Sequence, residues 1–435
     1  MQTAREYTIT ALVTILQVVP IGTNLGLLRV MWVMLNGSLL GSRGSVHGAL
    51  WANGFGMEEI RRSWAALSNG AWGLDALLKA WHGYVRQQGL WQERRYGGYR
   101  GRSVDITAFW RPRLRGKVGK HYQALAGKAM PGVVFGIMVR GGAIKGERLP
   151  LLLQVVRNRD GKSDSAFQQA LLCEVKESSV ADEVNVFDAG FSVGELQNAQ
   201  VKQFVVRMAD NCTLRRNEYP PYKGRGRHPQ YGERIRPLAR KRLGKVIAAS
   251  PADAPGCFVS AGQSIQTASW FALVTPDRQV ADDNPTIHLH GYTDPTYAKP
   301  LLLATDLPLP AEVVYQLYRD RWLVELPSLA AKQMIGLHRQ FVFAAQARFR
   351  LPELALLVGN ILAHLAAMLP AAALAEATPF WDRTPKPTPG RLRRLLAQVL
   401  FPDVALLNQR FRKKMVVTDH LPKGVFAHRR RKAAP

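Results

Sequence analysis

Cysteine is nearly missing from this sequence of 435 residues, which holds three, Cys173, Cys212 and Cys257, with no CxxC among them. So thin, odd and scattered a set argues against a disulfide scaffold and a structural zinc cluster, and it fits a reducing cytoplasm. Acidic residues are scarce as well, 32 Asp and Glu against 59 Lys and Arg, giving a formal charge of +27. A chain this cationic repels itself in isolation, so it implies a polyanionic partner, either nucleic acid or an anionic membrane surface. Long unbroken apolar runs are also lacking. Ile9 to Ile21 is interrupted by Pro20 and has no A-x-A cleavage site after it, and Leu25 to Leu40 carries Arg29 and Asn36. Ala355 to Ala377 contains Asn360, His364, Pro370 and Glu376. Because ~20 uninterrupted apolar residues are the norm for a bilayer span, this last stretch reads as a buried helix and the protein as soluble, without a membrane partner. No internal repeat is visible.

What is present suffices for a core, since 47% of residues are hydrophobic. Residues 1–95 read as helical, with apolar positions at helical spacing and breaks at Gly22, Gly54-Phe55-Gly56 and Gly70. A Trp-rich stripe from Met57 to Trp81 has the pattern of bundle core, and a small helical DNA-binding domain is the functional reading. From 96 the texture changes. Arg102 to Trp110, Val133 to Val139, Leu149 to Val156, Glu183 to Phe187 and Val201 to Met208 read as strands, the second and third joined through Arg140-Gly141-Gly142. Phe167 to Lys176 reads as a helix, so 96–209 is an α/β region with a mixed sheet.

Residues 210–299 break that rhythm. Arg215, Arg216, Lys223, Arg225, Arg227, Arg234, Arg236, Arg240, Lys241, Arg242 and Lys245 put eleven cations into 31 residues, interleaved with Tyr219, Tyr222 and Tyr231. The segment reads as a β-rich insertion whose basic loop is either solvated or a track for a DNA backbone with aromatic stacking. The α/β pattern resumes over 300–378, with a strand at Leu301 to Thr305 and a helix from Ala311. Residues 379–435 read as a Pro/Thr-rich linker, an amphipathic piece from Arg391 to Leu400, and a basic tail including Arg410, Arg412 and Arg429 to Lys432.

Two aspartates sit at predicted strands, Asp105 in Val104-Asp105-Ile106-Thr107 and Asp188 in Val186-Phe187-Asp188-Ala189-Gly190-Phe191. Either alone is equally a turn residue. Tyr318, Arg321, Glu325 and Lys332 form a sharper set, because at ~100° per residue they fall within roughly 60° on one helix face. A carboxylate flanked by two cations and a phenol suits a metal ion meeting a phosphodiester. A surface salt-bridge face would show the same Arg321–Glu325 pair.

The spacing Tyr-x2-Arg-x3-Glu-x6-Lys resembles the YREK signature of the insertion-sequence-4 family of DDE transposases, and all four positions match. The segments around Asp188 and Asp105 are similar to that family's second-Asp and first-Asp blocks. The resemblance spans about 100–345. It implies an RNase H-like catalytic core interrupted by a β-rich insertion, with Asp105, Asp188 and Glu325 as a metal-binding catalytic triad for Mg²⁺, for which Mn²⁺ substitutes. Tyr318, Arg321 and Lys332 would contact phosphates of the transposon end. Trp322 matches a tryptophan that holds a flipped base, although ordinary packing explains it equally, and Trp270 or Tyr297 is a candidate second stacking partner.

The implied activity is cut-and-paste transposition: 3′-end hydrolysis, a hairpin on the transposon end, then strand transfer into target DNA. It implies a homodimer on double-stranded DNA in the bacterial cytoplasm. No Cys–His or Ser–His motif near these residues asks for a covalent nucleophile. Pro327, two residues after Glu325, departs from the pattern. It is expected to kink the helix and rotate Lys332 relative to Glu325, because in a regular helix it clashes with the carbonyl of Leu323 at ~3 kcal/mol. Two alternatives share the composition: a catalytically inactive, transposase-derived DNA-binding protein, and a membrane-associated protein using Ala355 to Ala377.

Overall fold

Apolar residues at helical spacing wind the N-terminal region into six helices: α1 (Gln2–Leu16), α2 (Thr23–Leu35), α3 (Ser38–Gly41), α4 (Val46–Ala52), α5 (Met57–Asn69) and α6 (Leu74–Gln88). The computed structural model describes residues 2–375 except 115, 117, 118, 223, 225 and 341, together with 388–403, 407 and 411. Most of the expected linker and the basic tail, with Arg115, Lys117, Lys223 and Arg225, lie outside the described residues. Helices α2 and α5 cross closely because Gly26 has no side chain, and a Cβ there would stand 2.5 Å from that of Ala66.

The sheet begins with β1 (Tyr99–Trp110), β2 (Lys128–Ile144) and β3 (Glu147–Arg157). The expected junction at Arg140-Gly141-Gly142 is corrected: β2 runs through it, and the turn to β3 falls at Lys145-Gly146, both at positive φ (49° and 83°). Gly142 has a packing reason instead. Trp91 lies so close that a Cβ would come within 2.1 Å of its ring.

Helix α7 (Asp164–Ser178) crosses over to β4 (Glu183–Phe187), and α8 (Val193–Asn198) leads to β5 (Phe204–Arg207). All five residues of β4 are buried, as a central parallel strand covered on both faces requires. Its polar members are partnered: Glu183 pairs with Arg102 and Arg140, and Asn185 accepts from Arg102.

Four further strands widen the sheet: β6 (Ala254–Ser260), β7 (Gln263–Val274), β8 (Ile287–Thr293) and β9 (Leu301–Thr305). The order is β3-β2-β1-β4-β5-β9-β8-β7-β6, with β1–β4 and β4–β5 parallel and the other pairs antiparallel. The chain is therefore a mixed α/β fold around a mixed sheet.

After β9 comes α9 (Ala311–Asp320), and after it a 3₁₀ turn (Arg321–Val324), α10 (Glu325–Leu329) and a π-helical turn (Ala330–Met334). Helix α11 (Ala347–Met368) is the one described helix long and apolar enough to cross a membrane, and 94% of its apolar window is buried inside the fold. Its polar residues are docking points. Trp81 donates to Asn360 at 2.9 Å, while Asn360 and His364 both reach the carbonyl of Pro150 at 2.7 Å. Helices α12 (Ala371–Ala375) and α13 (Pro389–Ala397) follow. Helices α1–α6, α11 and α13 share one core with β2 and β3. A second core lies between the sheet and α7–α8, and a third beneath α9.

Candidate active site

Strand register brings the two aspartates together. Val104 of β1 pairs in parallel with Phe187 of β4, and Asp105 and Asp188 are the next residue on each strand. Adjacent strands lie about 4.8 Å apart, so the two carboxylates are neighbours. Alternation along β1 sends Val104 and Ile106 towards the α7 side, where both pack in the second core. Asp105 and Thr107 therefore face the helical segment 311–334.

That segment supplies the rest. Tyr318 donates to Asp188 Oδ1 at 3.3 Å. Arg321 Nη2 stands 3.6 Å from Asp188 Oδ2 and 3.3 Å from Glu325 Oε1, bridging two of the three carboxylates. Lys332 Nζ donates to Thr107 Oγ1 at 2.9 Å and lies 4.9 Å over the ring of Trp110. Six side chains from three separated stretches of sequence thus converge beside β1 and the C-terminal end of β4.

The helix that carries them departs from regular α-geometry on both sides of Pro327. A 3₁₀ turn winds more tightly than an α-helix and a π turn more loosely, and one precedes and the other follows Pro327. The amide of Glu325 reaches the carbonyl of Trp322, a 3₁₀-type bond, and Pro327 stands in the first turn of α10, where a missing N–H is tolerated. The tight turn advances the phase and the loose turn sets it back. Lys332 accordingly returns to the side of Asp105 and Glu325, and the expected rotation away from Glu325 does not appear.

The electrostatics follow from this packing. Burial pushes the Asp105 carboxyl up to about 6; the amide of Ile106 and the guanidinium of Arg321 oppose that shift, and Asp188 and Glu325 add to it. Lys332 is pulled down to about 8 by burial, against the attraction of Asp105 and Glu325. For Arg321, burial works against its charge, but Asp188, Tyr318, Asp105 and Glu325 outweigh it and hold the guanidinium protonated. Tyr318 is raised by burial and by Asp188. Arg321 is 8% exposed, and its Nε and Nη1 have no hydrogen-bond partner among the described residues.

Three carboxylates form an all-oxygen donor set, the chemistry a hard divalent cation takes. As placed, no three His, Cys, Asp or Glu side chains among the described residues stand close enough together to hold an ion, and Arg321 lies between Asp188 and Glu325.

Residues that the motif did not name also position the site. Asp320, 6% exposed, accepts from Tyr96 at 2.6 Å and pairs with Arg94 and Arg148 at 3.1 and 3.3 Å, fixing the end of α9 just ahead of Arg321. Thr107 lies two residues from Asp105, and period-two alternation would have put it on the same face. Trp322 is 51% exposed and Tyr297 44% exposed. Trp270 is corrected as a stacking candidate: it is 3% exposed and donates to the carbonyl of Pro251. In the basic stretch, Arg216 pairs with Asp253 and Arg215 lies over Tyr231, whereas Arg227, Arg234, Lys241 and Lys245 face solvent.

Compared with known protein families and with characterised proteins, the chain matches none.

Proposed function

We propose that this protein is a metal-dependent DNA transposase of the insertion-sequence-4 type. The observation that carries the reading is the convergence of Asp105, Asp188 and Glu325 with Tyr318, Arg321 and Lys332 around a buried guanidinium with two unpartnered N–H groups. Supporting it, Asp105 on β1 and Asp188 at the end of β4 sit on adjacent parallel strands of a mixed sheet, and β6–β8 fall within the segment read as an insertion.

Asp105, Asp188 and Glu325 would hold Mg²⁺, which when bound activates a water and stabilises the leaving oxygen at a phosphodiester. Arg321 offers its free N–H groups to phosphate oxygens, Lys332 adds a point charge, and Tyr318 orients Asp188. The exposed arginines and lysines of the insertion would track the DNA backbone, with the N-terminal helices as a further DNA-binding region. The reading places a homodimer on paired transposon ends in the cytoplasm, hydrolysing each 3′ end before strand transfer into target DNA.

The test is cleavage of a plasmid carrying the gene's own flanking ends, with and without Mg²⁺. Metal-dependent cuts at both ends are expected from the wild type and lost in Glu325→Gln. Specific binding of those ends with no cut by either protein would overturn the enzyme and leave a DNA-binding protein.

A further inference from the structure

Outside the carboxylate site, a cleft of about 350 Å³ opens where the β6–β7 hairpin folds against α9, a volume within the range of small-molecule sites. Four separated stretches wall it. Arg94 and Tyr96 come from the approach to β1, Arg148 from β3, Gln316, Arg319 and Asp320 from α9, and Ser260 and Ala261 from the hairpin tip. The hairpin turns at Ala261-Gly262, both at positive φ (51° and 79°), and Phe258 packs it against Tyr315 of α9 with ring centres 5.3 Å apart. The same helix therefore serves two places: Tyr318 turns to Asp188, whereas Arg319 and Asp320 turn to this cleft.

The charge of the walls is unbalanced. Three guanidiniums stand around one carboxylate, which leaves two positive charges uncompensated. Asp320 is buried, so the guanidiniums and not the carboxylate meet solvent; the side chains of Arg94 and Arg148 are 36% and 45% exposed. Arg94 spends its Nε on Tyr96 and Asp320, and Arg148 its Nη1 on Asp320. Both Nη groups of Arg94 and the Nη2 of Arg148 make no hydrogen bond among the described residues. Arg319 has no ion-pair partner among the described residues; it lies over Tyr315, with Nη1 at 3.5 Å from the phenol oxygen. Other acids on these stretches are engaged or turned away. Glu93 pairs with Arg95, Arg100 and Arg140, Glu312 accepts from Gln316, and Glu147 alternates to the other face of β3.

Guanidinium N–H groups reaching one cleft from three stretches match a tetrahedral oxyanion. Two surplus charges are balanced by a dianion, which a phosphomonoester or inorganic phosphate approaches at neutral pH. A carboxylate brings one charge and leaves half the surplus. We propose that this cleft binds a phosphoryl group through Arg94, Arg148 and Arg319. A free phosphate or phosphomonoester and a DNA backbone phosphate are the two sources of that chemistry, and the charge balance favours the first.

The test uses the full chain in metal-free buffer at pH 7.5. It compares the thermal shift given by millimolar inorganic phosphate with that given by acetate at the same ionic strength. The wild type is expected to rise with phosphate and not with acetate. Arg319→Gln and Arg148→Gln should each weaken phosphate about tenfold, the size of one charge-assisted hydrogen bond. Lys245→Gln, which removes an exposed cation of the basic stretch, should keep the wild-type response. Because Arg319 holds no carboxylate, Arg319→Gln should melt with the wild type when phosphate is absent, and it keeps the test readable if Arg148→Gln loosens Asp320. Equal shifts from phosphate and acetate in the wild type would overturn the proposal. So would a phosphate response kept in both arginine variants, or one lost equally in Lys245→Gln.

Duplex binding separates the two sources. Once the phosphate response is lost in Arg319→Gln, an unchanged salt dependence of its duplex affinity assigns the cleft to a free phosphate or phosphomonoester. A salt slope smaller by about one, with phosphate competing against duplex, assigns it to the backbone. Neither result depends on cleavage, so failure of Mg²⁺-dependent cutting would sink the transposase reading and leave this site standing.

Discussion

Asp105 is the residue on which the site's pH behaviour turns. Its carboxyl titrates at about 6, above the ordinary 3.8, because it is buried beside two other acids. Between those values the folded protein holds a proton that the unfolded chain has released. The contribution to stability is therefore full below about 3.8 and is lost as pH rises through about 6. Above that, the metal-free protein carries three charged carboxylates with Arg321 and Lys332 as their counter-ions. Asp105→Asn mimics the protonated form. It is expected to stabilise metal-free protein at pH 7.5, raising its melting temperature, by at most about 3 kcal/mol from the two-unit shift, and to make little difference at pH 4. Thermal melts at the two pH values check this; a destabilised Asp105→Asn at pH 7.5 would show that the carboxylate is already well compensated. Lys332 depends on the same cluster, since its charge is kept by Asp105 and Glu325 against burial.

At the scale of the element, the segment from Ala311 to Met334 has to meet a demand that a regular helix with a proline cannot. A proline inside an α-helix costs about 3 kcal/mol, yet here the 3₁₀ turn before it and the π turn after it have absorbed the misfit. Pro327→Ala should therefore change unfolding free energy by less than ~1 kcal/mol in a denaturant melt, where recovery of the full ~3 kcal/mol would mean that the proline is strained. The anchor is Asp320. Asp320→Ala leaves Tyr96, Arg94 and Arg148 without their shared acceptor. Breaking a buried pair costs ~3–5 kcal/mol, but both arginines reach solvent, so about 2 kcal/mol is expected, together with weaker cleavage because Arg321 loses its fixed approach.

These elements show how far the sequence could be read. Helical phase put Tyr318, Arg321, Glu325 and Lys332 on one face, and alternation in a short apolar strand put Asp188 at its end. Both are local rules, and β4 lies over the residues they indicated. The alternation of 3₁₀ and π turns is a collective response of backbone and neighbours to one proline, which no local periodicity reports. The β2–β3 turn was misplaced because Arg140-Gly141-Gly142 carries the composition of a turn, whereas Gly142 is there for Trp91, far outside any local window. The role of Asp320 was hidden for the same reason, since its partners lie more than 170 positions away. Trp270 shows the limit of residue type: tryptophan serves a core as readily as a stacking site.

The whole molecule sets buried, neutral histidines within a strongly cationic chain. His364, fully buried against Pro150 and Trp81, and His290, buried beside Ser269, are both held down to about 4 by burial. The unfolded chain takes up protons at these positions near 6.5, which the folded protein refuses until about 4. Their contribution is thus full above 6.5 and lost as pH falls through that window, opposite in sign to that of Asp105. Each such histidine lowers stability as pH falls from 6.5 to 4.5, so over that window the melting temperature of His364→Gln should fall less, or rise more, than that of the wild type; an unchanged slope in that variant would place the titration elsewhere.

That three carboxylates from β1, the end of β4 and α10 form a shared divalent-metal site is the claim on which the functional reading depends. The measurement that tests it most directly is the thermal shift produced by millimolar Mg²⁺ or Mn²⁺ at pH 7.5 in the wild type and in Asp105→Asn, Asp188→Asn and Glu325→Gln. A ligand that binds only the folded state raises its stability by about 2.7 kcal/mol at a hundred times its dissociation constant, so a clear upward shift is expected in the wild type and little or none in each variant. The same shift in all four proteins would contradict a shared metal site.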